Sequence, residues 1–190
     1  MDKPVGKGIN MLYSFLQTID NGGAPCVTKN LLSLGICKPR IRKHAKVGDL
    51  IVSFAAKSMK LKREKPQILW IAKVTKVVTM KNYYKQFPKR KDCIYDDNLN
   101  LLDNHFHTCV NIERDLSGEN VLLSDDFIFF GKNHIDVDEQ FSEVVPTTQG
   151  HLSKKNSKHE ESFNKYFERF ESRKIFGSHI HKIIKKCYVI

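Results

Sequence analysis

Apolar positions along the chain fall into short runs divided by strong breakers. Residues 9–19 (INMLYSFLQTI) are rich in apolar and aromatic side chains and predict a strand. Asp20, Asn21, Gly22, Gly23, Ala24 and Pro25 end it in a loop with unusual backbone angles. A short apolar segment, 30–37, precedes Pro39, which is placed to open a short helix through His44. Val47, Gly48 and Asp49 form a turn into a buried strand at 50–54, and a polar basic loop covers 55–66. Residues 68–78 read as one long strand leaving the core at its second half, and 80–87 as a short helix ending before Pro88. Residues 96–117 are weakly patterned and predict loops. In 120–130, Asp125 and Asp126 separate two apolar runs, which predicts a strand, a bend and a second strand closed by Gly131. Residues 150–158 read as a linker. A capping box, Ser157 to Glu160, then opens a helix with Phe163, Tyr166, Phe167 and Phe170 on one face, and Gly177 is a plausible stop. Ile180, Ile183, Ile184 and Cys187 repeat the helical spacing.

This order predicts an α+β fold: a small mixed or antiparallel, barrel-like sheet with peripheral helices and a C-terminal helix. The predicted division is a core over 1–150 and a helical extension over 151–190 packing on it. The length, 190 residues with 41% hydrophobic, suits one ordinary domain with an appended tail. No apolar run approaches the roughly 18 residues of a membrane span, and residues 1–6 carry no signal-peptide block. The expectation is a soluble, cytoplasmic protein without membrane contact.

Charge sharpens the picture. The net +11 is uneven: residues 38–91 hold seventeen basic and two acidic side chains, a net +15, while 101–150 hold two basic and ten acidic, a net −8. A basic face with an acidic remainder would orient a polyanion, although the two blocks could also neutralise each other in the fold.

Candidate chemistry is sparse. Phosphate-loop, nucleophile-elbow, zinc-protease and dinucleotide signatures are missing from the sequence. The five cysteines, Cys26, Cys37, Cys93, Cys109 and Cys187, are widely spaced and predict buried thiols. His105 with His107, and His179 with His181, could form a metal site only if both pairs lay on strands; no metal and no cofactor are expected. The densest stretch is 37–49 (CKPRIRKHAKVGD), which sets Lys38, Arg40, Arg42, Lys43 and Lys46 around the helix start. Tyr83, Tyr84 and Phe87 interleave with Lys81, Lys85 and Lys89, a pattern suited to holding phosphates and stacking bases.

Val47 to Phe54, a polar loop, and Leu69 to Val77 look like the core hairpin of PUA-like domains, the superfamily that includes the EVE, ASCH and YTH groups. More closely, several segments together resemble the second nucleotide-modification-associated domain family, over about residues 10 to 172. They are Asp20…Gly23-Ala24-Pro25, Leu34 to Arg42, Ala45 to Asp49, Leu123 to Lys132, and Gly150-His151. The Cys-Lys-Pro-x-Ile-Arg and Ser-Asp-x-Phe-x-x-Phe-Gly pieces are its specific parts. The resemblance implies a neighbourhood of DNA modification and bacterial or phage defence, and a reader or accessory role. The chain departs from the family in its lysine loading over 57–91 and its basic tail past Arg173.

The leading expectation is a module that binds nucleic acid or a modified nucleotide. Lys38, Arg40, Arg42 and Lys43 would hold phosphate, with Gly23, Ala24, Cys37 and Asp49 completing the nucleotide contacts. Trp70, Phe127, Phe129 or Phe130 would stack on a base. One alternative is an enzyme on modified nucleotides using Cys37, Asp20, Asp49, Asp125 and His151, with Cys37 as a low-pKa thiolate. Another is a protein-interaction factor using the acidic 101–150 region. Oligomeric state is left open.

Overall fold

The structure, a computed structural model, describes residues 11–61, 64–104, 111–148, 150–155, 158–170 and 174–181. In chain order the strands are β1 (Met11–Gln17), β2 (Cys26–Thr28), β3 (Leu31–Leu34), β4 (Leu50–Ala55), β5 (Gln67–Lys73), β6 (Lys76–Thr79), β7 (Asn120–Ser124), β8 (Asp126–Phe129), β9 (Ile135–Asp136), β10 (His151–Lys155) and β11 (Lys174–Ile175). The helices are α1 (Pro39–His44), α2 (Met80–Gln86), α3 (Ile112–Leu116) and α4 (Lys158–Glu168).

These elements make a mixed α+β fold with two sheets. The first runs β10-β1-β4-β5-β8-β11, with β9 also paired to β5; the second runs β2-β3-β7-β6. Neighbours are antiparallel except β1 with β4 and β8 with β11. Among the described residues the sheets do not close into the expected barrel. The reason lies at one corner. The run 68–78 is two strands, because Val74 and Thr75 turn the chain out of the first sheet: Val74 N–H donates to Asp49 O at 2.8 Å and Thr75 N–H to Leu123 O at 2.9 Å. Its partner bends at the same level, at Asp125, whose N–H donates to Thr75 Oγ1 at 3.1 Å. Two paired strands thus switch sheets together and make a sandwich corner.

Strand alternation then sorts the core. Phe15, Ile51, Trp70 and Phe129 face the second sheet's Leu32, Leu34 and Leu122. The next residues along, such as Val52, Ile71 and Ile128, face outward under Phe141, Val144 and the α4 residues Phe163 and Phe167. The predicted aromatic face of α4 therefore packs as its spacing implies, with Phe141 and Phe163 ring centroids 4.6 Å apart. On the far side, Val121 and Leu123 lie under Met80 and Tyr83 of α2.

Two loop expectations change. Residues 111–117 contain α3, capped by Asn111, whose Oδ1 accepts the Arg114 N–H at 2.9 Å. The expected linker carries β10, antiparallel to β1 from Met11↔Lys155 to Phe15↔His151. An edge strand satisfies the backbone of its neighbour whatever its side chains, and edge positions favour lysine, so its polarity hides it from pattern reading. The pair His105 and His107, Cys109, the capping box and Ile183, Ile184 and Cys187 lie outside the residues or side chains described. Among the described residues no helix is long and apolar enough to cross a membrane.

Candidate functional site

Register places six residues in one row across the first sheet: His151, Phe15, Ser53, Trp70, Phe129 and Ile175. Directly paired residues share a face, so the row is a continuous strip on the side of the second sheet. Phe15 meets Trp70 edge-on at 5.6 Å. Above them the buried Gln17 side chain accepts Trp70 Nε1–H at 2.8 Å and Ser53 Oγ–H at 2.7 Å through one oxygen. Trp70, Phe127, Phe129 and Phe130 are all buried. The four expected stacking residues thus form core here and offer no open face. Replacing Gln17 by leucine leaves the indole N–H and the Ser53 hydroxyl without an acceptor. The expected cost is about 2–4 kcal/mol, read as a lower midpoint in chemical denaturation.

A cationic group gathers at the Phe15 end of the strip. Lys38 Nζ stands 4.3 Å from the Phe15 ring centroid and donates to Leu16 O at 3.1 Å. Burial lowers its ammonium below the ordinary lysine value. Arg40 and His44 are exposed on α1, and His151 lies beside them on β10. Burial lowers the His151 pKa from 6.5, and Arg40, Lys38 and His44 push it further in the same direction. The unfolded chain therefore binds more protons than the folded one in the window below 6.5, and stability falls as pH is lowered through it. An anion held here reverses that repulsion. Anion affinity should therefore rise as pH falls from 8 to 6, and His151→Gln should flatten the trend in a binding titration.

The remaining nominated residues have structural jobs. Arg42 is fully buried: Nε donates to Cys37 O at 2.8 Å, and Nη1 to Gly35 O at 2.9 Å and Asn120 O at 3.1 Å. Nη2 donates to Asp115 O and sits 3.9 Å from that carboxylate. Its expected phosphate contact gives way to this clasp, because every face of the guanidinium is already committed to carbonyls. The clasp fixes the turn into α1, where Cys37 and Lys38 both have left-handed backbones, with φ 59° and 44°. Asp49 is buried and accepts the N–H groups of Met11 at 2.9 Å and Lys46 at 2.8 Å, which ties β1 to the turn before β4. Lys43 pairs with Glu119. Gly23 donates its N–H to Asn21 Oδ1 at 3.1 Å within the loop, and Ala24 packs against the inter-sheet core. The Cys37 thiol is pushed up to about 11, first by burial and then by Asp115, the opposite of an activated thiolate. Cys26, Cys37 and Cys93 are free.

The two charge blocks partly neutralise each other through Arg42 with Asp115, Lys43 with Glu119, and Lys65 with Glu139. Among the described residues no acidic side chain pairs with Arg40 or His44.

A second group, at the other end of the strip, joins Asp20 with His179 and His181, which the sequence offers only separately, as an enzyme candidate and as half of a metal site. Asp20 is fully buried after β1, and His179 and His181 turn onto it from the chain's far end. Both imidazoles therefore serve one carboxylate and its backbone. Among the described residues no cluster of three or more His, Cys, Asp or Glu is suited to a metal ion.

The family profile described as nucleotide modification associated domain 2 matches residues 9–182. The chain belongs to this family. No curated protein and no solved structure matches it. Within this nucleotide-modification-associated domain the resembling segments divide by role. Leu34 to Arg42 carries both the buried clasp and the exposed Arg40, and Leu123 to Lys132 builds the sheet corner and the Phe129 end of the strip.

Proposed function

We propose that this domain binds nucleic acid or a modified nucleotide through the cationic rim of Lys38, Arg40, His44 and His151, as a reader or accessory factor in nucleotide modification. One observation carries the reading. Lys38 over the Phe15 ring, the exposed Arg40 and His44 of α1, and His151 paired with Phe15 gather at a single edge of the first sheet, and a phosphate backbone suits such convergence of positive charge. Family membership supplies the context of nucleotide modification. Arginine forks phosphate oxygens in two places, so Arg40 is the main contact and Lys38 a point charge beside it. A barrel-like PUA ancestry and a role in phage defence are compatible with this reading and belong to it as proposals.

The test is equilibrium binding of a labelled oligonucleotide. Arg40→Ala should weaken binding of all sequences alike and make the salt slope shallower by about one. Lys43→Ala, which removes a side chain paired with Glu119, should change little. Binding by the Arg40→Ala, His44→Ala double variant that equals the wild type would refute the rim.

A further inference from the structure

Residues 179–181 fill the polar atoms of Asp20 one by one. His179 Nδ1–H donates to Asp20 Oδ1, and Ile180 N–H donates to Oδ2 at 3.1 Å. The Asp20 N–H donates to His181 Nδ1 at 3.0 Å, and Asp20 O accepts the His181 N–H at 2.8 Å. The carboxylate thus receives one ring N–H and one neighbouring N–H. The imidazole that supplies the first is held as a flat ring. Its centroid lies 4.7 Å from that of Phe129, with the two planes tilted by 57°. Gly22 approaches closely as well: a Cβ there would stand 3.2 Å from the imidazole Cδ2, and its φ of +90° disfavours any side chain. Phe129, Gly22 and Asp20 therefore bound a slot for a planar nitrogen heterocycle, with a buried acceptor at its edge.

The piece of chain in the slot is also held by Phe176, whose ring stacks on Phe130 with centroids 5.5 Å apart and whose carbonyl accepts from Asn133 Nδ2. It joins the sheet through the two-residue β11, and Ile175 and Phe176 beside it are 45% and 47% exposed. Phe176 N–H donates to Phe129 O at 2.8 Å and Lys132 N–H to Ser178 O at 2.9 Å.

We propose that Asp20, Gly22 and Phe129 form a nucleobase slot for guanine, and that residues 179–181 occupy it as a built-in competitor. Guanine presents a ring N–H beside an exocyclic N–H, the same pair of donors that His179 and Ile180 now give to the carboxylate, and its ring would take the imidazole's place against Phe129. Adenine lacks that pair: its ring nitrogen accepts, and a carboxylate only accepts. This inference rests on the nucleotide reading above but uses the opposite end of the strip from the cationic rim, three strand spacings or about 14 Å away.

The experiment titrates the full chain with guanosine and with adenosine by calorimetry. Both are uncharged, so the rim contributes nothing. The wild type should bind guanosine in preference to adenosine. His179→Ala should tighten guanosine by at least about tenfold, because a slot open in a tenth or less of molecules forfeits that factor in apparent affinity. Adding Asp20→Asn to that variant should abolish the preference. If His179→Ala does not fold, hydrogen exchange on the wild type decides. Guanosine should speed exchange of the Ile180 and His181 amides, and adenosine should leave it unchanged. Equal binding of the two nucleosides, no gain in His179→Ala, or unchanged exchange with guanosine would overturn the slot. Oligonucleotide binding that still depends on Arg40 would show that the rim survives that failure.

Discussion

Arg42→Met lowers the unfolding free energy by about 3–5 kcal/mol, the range seen when one member of a buried charged network is removed. The methionine fills much of the volume but leaves the carbonyls of Cys37, Gly35, Asn120 and Asp115 without donors. It also leaves Asp115 as a buried carboxylate that has lost its cation. Arg42→Lys recovers little, since one ammonium cannot span carbonyls that a planar fork reaches together. Gly118 belongs to the same arrangement: a Cβ there would lie 2.5 Å from the Arg42 Nη2. In a thermal melt the loss appears as a midpoint lowered by roughly 10 °C for a chain of this size. A variant that melts like the wild type would contradict the clasp.

Asp92→Ala has a comparable effect on the other side of Gly35, whose carbonyl accepts from Arg42 and whose N–H donates to Asp92. Asp92 is buried beneath the second sheet and accepts Ser33 Oγ–H and Tyr83 O–H, each at 2.6 Å, and the Gly35 N–H at 3.2 Å. Arg90 lies 3.7 Å from it and also donates to Cys26 O at 2.7 Å and Tyr83 Oη at 2.9 Å. Removing the carboxylate strands these donors and leaves the half-buried guanidinium without its counter-charge, at an expected cost of about 3–5 kcal/mol. Burial pushes the Asp92 carboxyl above its ordinary value of 3.8, against the pull of those hydrogen bonds. The folded state therefore holds this proton more tightly than the unfolded one, and ionising Asp92 takes stability away as pH rises above 3.8. Asp92→Asn keeps an oxygen acceptor and removes the charge, so it should be milder than alanine and should flatten that part of the pH profile. Equal denaturation midpoints for Asp92→Ala and the wild type would contradict the network.

These two residues show where reading the sequence stops. Arg40 and Arg42 lie in one basic helix start and look alike in composition, yet one is exposed and the other is the largest buried side chain after Trp70. What separates them is Asp115, seventy-three residues away in a segment that reads as loop, and no local pattern announces that pairing. Elements whose signal is local were legible: Pro39 at the start of α1, the bend at Asp125, and the aromatic face of α4. Elements that exist only because a neighbour needs hydrogen bonds were not, as with β10 along β1 and β11 along β8. The split of β5 from β6 hides for a related reason. Val74 and Thr75 are good strand formers, and the corner is set by Asp49 and Leu123 across the sheet. The spacing of His179 and His181 was visible, but their shared partner Asp20 stands 159 residues from His179 and emerges only in the fold.

The charge pattern had the same limit. Part of the +15 block meets acids of the 101–150 block, and Arg40 and His44 stand exposed with Lys38 and His151 beside them at one edge of the first sheet. The salt dependence of oligonucleotide binding tests this directly. If the rim engages about three phosphates, the logarithm of the binding constant falls against the logarithm of salt with a slope near −2.7. That is a loss of about forty-fold between 50 and 200 mM. A slope near zero at pH 6 would contradict the assignment of this edge to a phosphate backbone.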